Sequence, residues 1–155
     1  MARTKKYKLH YKREIHPDPV YKSRTIQLIQ QRLIRHGKKK LAFRILHKSL
    51  KVLQNKTQLD PLLVLDKALR HTTPSVELQT RRVGGAVYPI PVELRFERGT
   101  LKALRWIVIA AKKRSGPTLA INLANELIDA SKKSGMAFHK KQEVHKIADA
   151  NGRVK

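Results

Sequence analysis

The sequence predicts a mainly α protein: a bundle of about six helices, one protruding two-stranded antiparallel β-hairpin and a basic N-terminal arm. Three observations carry this. Apolar residues recur at helical spacing in successive segments from residue 26 to residue 148. Between residues 76 and 94 the period changes to two, around a Gly-Gly pair. Residues 1–17 are densely charged and show no apolar periodicity.

The arm covers residues 1–17 and is expected to order only against a polyanion. Asp18-Pro19 then reads as a helix start, with Asp at the N-cap and Pro at the first helical position. Ile26, Ile29, Leu33 and Ile34 supply the buried stripe of this first helix, which Gly37 ends. Lys38-Lys39-Lys40 opens a second helix with an inward face of Ala42, Ile45, Leu46, Ser49, Val52 and Leu53. Lysines at a helix N-terminus oppose the macrodipole, and a local rule broken in this way marks function. Asp60-Pro61 repeats the start signal for a third helix, lined by Leu62, Leu65, Ala68 and Leu69 and stopped by Thr72-Thr73-Pro74.

Val76, Leu78 and Thr80 alternate, Val83-Gly84-Gly85-Ala86 turns the chain, and Tyr88, Ile90, Val92 and Leu94 alternate again. Pro89 and Pro91 stand two apart, so both remove donors from the same strand edge and leave the other free to pair. A ribbon whose outer edge cannot extend is expected to be anchored on helices at its base and to protrude at its tip. Leu101, Leu104, Val108 and Ala111 line a fourth helix ending in Lys112-Lys113-Arg114-Ser115-Gly116. Pro117 begins a fifth, with Ala120, Leu123, Ala124, Leu127, Ile128 and Ser131 inward and Lys132, Lys133 and Gly135 at its close. Phe138, Lys141, Val144 and Ala148 mark a polar, peripheral sixth.

The chain carries 35 Lys and Arg against 11 Asp and Glu, a formal net charge of +24 over 155 residues. Such a surplus opposes compaction unless a polyanion neutralises it. Disorder is not the reading, because Leu, Ile, Val and Phe together lie well above the roughly 20 % of the chain below which disorder is expected. There is no Cys, which excludes disulfides, zinc fingers and thiol catalysis. No run approaches the ~20 apolar residues of a membrane span, and a membrane-surface role would need apolar faces that the core requires. Met1 to Tyr7 lacks the apolar core of a secretory signal, so a protein that works in an organelle is expected to be made there or to be in mature form.

Catalysis finds little support. No two of the 7 His lie three or four apart, so no helical metal pair exists, and neither metal nor other cofactor is expected. Glu126 and Asp129 share a helix face at i, i+3, but among so many cations they read as salt-bridge partners rather than acid and base. Gly84-Gly85 lacks the Lys-Ser/Thr of a phosphate loop.

The basic clusters sit at element ends and mostly lack acidic partners at i, i+4. Candidate RNA-binding residues are therefore Arg3, Lys5, Lys6 and Lys8 in the arm, then Lys38, Lys39, Lys40, Lys112, Lys113, Arg114, Lys140 and Lys141. Lys132 and Lys133 form a further cluster, which suits a helix C-terminus. Arg81 and Arg82 flank the turn of the ribbon, with Gly84, Gly85 and Tyr88 beside them; Arg forks on phosphates and Tyr stacks on bases. Basic patches scattered over several faces, without a helix-turn-helix or zipper, suit a folded RNA recognised by shape. The rivals are a free-standing RNA- or DNA-compacting protein or RNA chaperone, and a cryptic nuclease or RNA-modifying enzyme.

Arg81-Arg82-Val83-Gly84-Gly85-Ala86-Val87-Tyr88-Pro89-Ile90-Pro91-Val92-Glu93 resembles the hairpin of small-subunit ribosomal protein seven, bacterial and organellar type. Asp18-Pro19, Gly37-Lys38-Lys39, Leu104-Arg105-Trp106-Ile107, Leu123 to Leu127 and Lys140 to Lys146 resemble further motifs of that family, in family order. The resemblance implies a helical bundle with an extended hairpin and residues 18–151 as a single ribosomal RNA-binding domain with its hairpin at 76–94. It also implies a structural role without catalysis. The partner would be the 3′ major domain of small-subunit ribosomal RNA, where such proteins start assembly of the subunit head. Lys38 to Lys40 would hold ribosomal RNA. Arg81, Arg82 and the turn would border the exit-site tRNA and messenger, near small-subunit ribosomal protein eleven and other head proteins. Bacterial members can also repress their own messenger. Three features depart from the family: the tail 152–155 replaces an aromatic-basic ending, Gln30 stands where the first helix is usually apolar, which implies adjusted packing, and the N-terminal arm is longer in basic residues. The motifs resemble bacterial and plastid members most, and with the Lys-rich, Cys-free composition this implies a plastid ribosome first, a bacterial one second and a mitochondrial one third.

Overall fold

A computed structural model describes residues 15–83 and 85–152. Arg3, Lys5, Lys6, Lys8, most of the N-terminal arm, Gly84 and residues 153–155 lie outside the described residues. The order is α1 (Arg24–Leu33), α2 (Lys39–Thr57), α3 (Pro61–Thr72), β1 (Val76–Val83), β2 (Ala86–Glu93), α4 (Phe96–Lys113), α5 (Leu119–Ser131) and α6 (Met136–Gly152). The mainly helical architecture with its hairpin is the one the sequence predicts.

α5 is the centre of the bundle. It packs against α2, α3, α4 and α6, and its Leu123, Ala124, Leu127 and Ala130 are buried. A helix with this many neighbours must be apolar around most of its circumference, which its sequence Leu-Ala-Ile-Asn-Leu-Ala supplies. Around it lie Ile26 and Ile29 of α1, Leu46, Leu50 and Leu53 of α2, Leu65 of α3, and Leu104 and Ile107 of α4, all essentially without solvent exposure. The third helix starts as expected: Pro61 is its first residue, and the Asp60 carboxylate accepts from Leu62 N–H at 3.0 Å.

The first helix does not start at Asp18-Pro19. The Asp18 carboxylate accepts from the N–H groups of Val20 and Tyr21, both at 3.1 Å, and the Asp18 carbonyl from Lys22 N–H at 2.8 Å. These bonds close one turn, which ends because Lys22 takes a left-handed φ of 49°. Ser23 is the true N-cap position. Asp18 itself is buried, 3.4 Å from His47 Nε2. The His47 ring also stacks on Tyr21, with centroids 5.5 Å apart. The Asp-Pro signal therefore fixes the entering chain to α2 instead of opening a helix. Two smaller boundaries also move. α4 begins at Phe96, ahead of its apolar stripe, and α5 is capped by Thr118, whose Oγ1 accepts from Ile121 N–H, so Pro117 lies outside it.

The ribbon pairs Val83 with Ala86 across the two glycines, and Val76 with Glu93 at its base. Leu94 N–H donates to Ser75 C=O at 2.9 Å, so the even-numbered residues of β2 face β1. Pro89 and Pro91 consequently fall on the outer edge, as their spacing predicts. The base is tied to the helices: it packs on α6, Lys102 of α4 pairs with Glu77, and Ser75 N–H donates to His145 Nε2 at 3.3 Å. Arg81, Arg82, Gly85, Val87 and Tyr88 at the tip are exposed.

Candidate nucleic-acid interface

A tight turn joins α1 to α2. His36 and Gly37 both adopt positive φ, 51° and 73°, and Arg35 C=O accepts from Lys38 N–H at 3.0 Å. The turn delivers Lys38 to the N-cap position of α2, where no side chain caps the helix and no acidic residue occupies the first turn. The first N–H groups of α2 and the ammonium groups of Lys38, Lys39 and Lys40 thus present positive charge together.

Lys38 does not stand alone. Arg35, His36, Lys38 and Lys112 line one hollow of about 600 Å³, floored by Leu33, Leu41, Ala42, Ile45 and Leu119. Lys112 comes from the far end of α4 and shares the hollow with Lys38 because α1 packs against both α2 and α4. No carboxylate of the described residues lines the hollow. Partial burial, and then the nearby Arg35 guanidinium, hold the Lys112 ammonium below its ordinary value. Like charges gathered without a counter-charge cost free energy that a bound anion returns.

Lys113, one residue on, faces a different groove of about 660 Å³ between α4 and α6. Trp106, Ile109 and Met136 line it, with Lys102, Arg105, His139 and Lys140. On the ribbon, Arg81 stands directly opposite Tyr88 and Arg82 opposite Val87. Cross-strand partners share a face, so each face of the exposed tip carries one guanidinium, and one of them also carries the phenol ring.

Other predicted residues are engaged within the chain. Arg114 Nη2 donates to Glu126 Oε2 at 2.9 Å and also to Asp129 Oδ2. Burial alone would lower the Arg114 guanidinium, but the two carboxylates outweigh it and raise it above its ordinary value. Glu126 is buried, and its second oxygen accepts from Ala137 N–H at 2.9 Å. The pair at 126 and 129 is thus an ion-pair partner that ties α4, α5 and α6 together. Lys141 donates to His71 C=O at 2.8 Å and holds α6 on the end of α3. Lys140 pairs with Glu143 at 2.7 Å on the surface. Gln30 is half-buried, and its Oε1 is sealed without a partner among the described residues.

Sequence reasoning missed Arg35, Lys102, Arg105 and Trp106. A cation next to a helix end is visible in the sequence at Arg35, but its place in one hollow with Lys112 is not. Among the described residues no cluster of His, Asp and Glu gathers that could hold a metal ion, and no helix is long and apolar enough to cross a membrane.

A small helical body with cation-lined hollows on more than one face and a basic ribbon tip defines a protein built to lie against a folded polyanion. Comparison with known proteins makes this specific. The family model described as "Ribosomal protein S7p/S5e" matches residues 4–152. The chain is 51 % identical over 140 residues to the small ribosomal subunit protein uS7c of Prototheca wickerhamii, 47 % to uS7c of Chlorella vulgaris and 49 % to uS7 of Nostoc sp.. Each alignment covers 90 % of both proteins. The chain belongs to the ribosomal protein S7p/S5e family. It is a structural part of the small ribosomal subunit, together with ribosomal RNA and other ribosomal proteins, and not an enzyme. Algal uS7c proteins and cyanobacterial uS7 proteins among its relatives place it in a plastid ribosome.

Proposed function

We propose that the protein binds the 3′ major domain of small-subunit ribosomal RNA, nucleates assembly of the subunit head, and sets its ribbon beside the path of exit-site tRNA and messenger. The observation that carries the RNA contact is the hollow where Arg35, His36, Lys38 and Lys112 meet with no carboxylate among the described residues. Lys39 and Lys40 extend its charge along α2, Lys113 adds charge at the groove between α4 and α6, and Arg3, Lys5, Lys6 and Lys8 of the N-terminal extension, residues 1–17, add further RNA contacts. Arg114 and Lys141 act through their internal bonds and hold α4, α5 and α6 in place beneath those lysines. Arg81, Arg82 and Tyr88 at the exposed tip supply phosphate forks and a stacking ring for the tRNA and messenger side. Small-subunit ribosomal protein eleven is the protein neighbour of that region.

Filter binding of the full chain to the isolated RNA head domain, over a range of salt, tests this. Each phosphate contact contributes roughly 0.7–0.9 to the slope of log affinity against log salt. Replacing Lys38 and Lys112 together by Gln is expected to lower that slope by about 1.4–1.8 and to leave the melting temperature unchanged. An affinity insensitive to salt overturns the proposal. So does a wild-type protein that fails to travel with small subunits in a sucrose gradient.

A further inference from the structure

The groove between α4 and α6 has a composition that the scaffold does not explain. Trp106 lies half-buried on its wall, and no acceptor for the indole N–H occurs among the described residues. Ile109 and Met136 flank it, 40 % and 48 % exposed, so an apolar edge of each helix meets solvent beside the ring. An apolar wall left open to solvent beside a ring marks a binding surface.

The charges around it select the occupant. Glu77 and Glu143 are already paired, with Lys102 and Lys140 respectively. Arg105 and Lys113 line the same groove, exposed and without a carboxylate partner among the described residues, and His139 adds a ring that can donate. The groove therefore offers a flat apolar surface with positive charge at its rim. That pattern fits a nucleotide, whose base has a π-face and whose phosphates are anionic, better than an apolar or acidic peptide.

We infer that this groove is a nucleobase-stacking subsite, in which an unpaired base of the bound RNA lies on the Trp106 indole while its flanking phosphates reach Arg105 and Lys113. The inference rests on the ribosomal-RNA reading above and adds a base contact to what is otherwise a phosphate-reading surface.

Trp106 is the only Trp of the chain, so intrinsic fluorescence reports on this groove alone. The full chain is titrated with the RNA head domain, and filter retention and Trp emission are recorded on the same samples. Strong quenching is expected to saturate together with retention. Trp106→Leu should lower RNA affinity about tenfold, and Trp106→Phe, which keeps a ring, should recover most of it. Retention without quenching overturns the stacking subsite and leaves the ribosomal-RNA reading intact. Quenching that appears only after another ribosomal protein is added overturns it as well, because the occupant is then a peptide. Equal affinity of Trp106→Leu and wild type overturns it too. Should Trp106→Leu fail to fold, the wild-type quenching decides by itself. Failure of the wild-type chain to be retained at all sinks the RNA reading and this inference together.

Discussion

Replacing Glu126 by Ala should be among the most damaging single changes in the bundle. Glu126 is fully buried on α5, with one oxygen bound to Arg114 and the other to Ala137 N–H. Removing one partner of a buried ion pair costs about 3–5 kcal/mol, because the other charge is left uncompensated. The lower end applies here, since the Arg114 side chain is 25 % exposed and keeps Asp129. Orphaning the buried Ala137 N–H adds about 1–3 kcal/mol. A total of about 4–6 kcal/mol is a large fraction of the ~5–15 kcal/mol that holds an ordinary domain together. For a chain of this length it corresponds to a fall in melting temperature of roughly 10–20 °C. Thermal denaturation followed by circular dichroism measures it. Glu126→Gln keeps an acceptor for Ala137 N–H, and should lose less than half as much. The loss should also shrink in an Arg114→Met background, where no guanidinium is abandoned. A Glu126→Ala protein melting within about 2 °C of the parent would refute the assignment of Glu126 as the bond between α4, α5 and α6.

Further outcomes follow from other residues. Replacing Arg81 and Arg82 by Ala should leave head assembly intact in reconstituted subunits and disturb tRNA or messenger positioning; loss of head assembly instead would put those residues in the ribosomal-RNA contact. His145 accepts from Ser75 N–H, and burial, then the Lys141 charge, hold it below its ordinary value of 6.5, with Asp149 opposing. Its neutral form is therefore favoured by folding, so this bond contributes fully above pH 6.5 and is lost as pH falls through the folded value. Amide exchange at Ser75, corrected for intrinsic rate, should accelerate in that window, and His145→Phe should remove the pH dependence. Gly37→Ala forces a side chain into φ 73° and should cost about 1 kcal/mol in thermal stability, although the space around its Cβ is empty.

Much of the fold was legible in the sequence. α2, α3, α4 and α5 carry long stripes that only a helix aligns, and the alternate prolines of β2 showed which edge would pair. What failed was local chemistry with two outcomes. Asp18-Pro19 and Asp60-Pro61 make the same carboxylate-to-backbone bonds in their first turn. The second continues as a helix, while the first is cut short by Lys22 and held by His47 of α2, a tertiary contact that no local pattern contains. The site was legible as charge and not as place. Lys38 and Lys112 were both singled out, yet their meeting in one hollow depends on how α1, α2 and α4 pack. Arg114 and Lys141 looked like their neighbours in sequence and turned out to bind within the chain. Trp106 stood out only as part of a helix motif, and its place at an open groove follows from packing.

The alternate prolines of the ribbon have a second effect beyond blunting an edge. Each locks one φ angle of β2, so two of its eight residues bring little backbone freedom to be lost on folding. A two-stranded ribbon held only at its base would otherwise fray at the tip. Stiffened in this way, the finger is shaped before any contact is made. In the proposed docking on RNA, the free energy would go into contact, and little of it into ordering the chain.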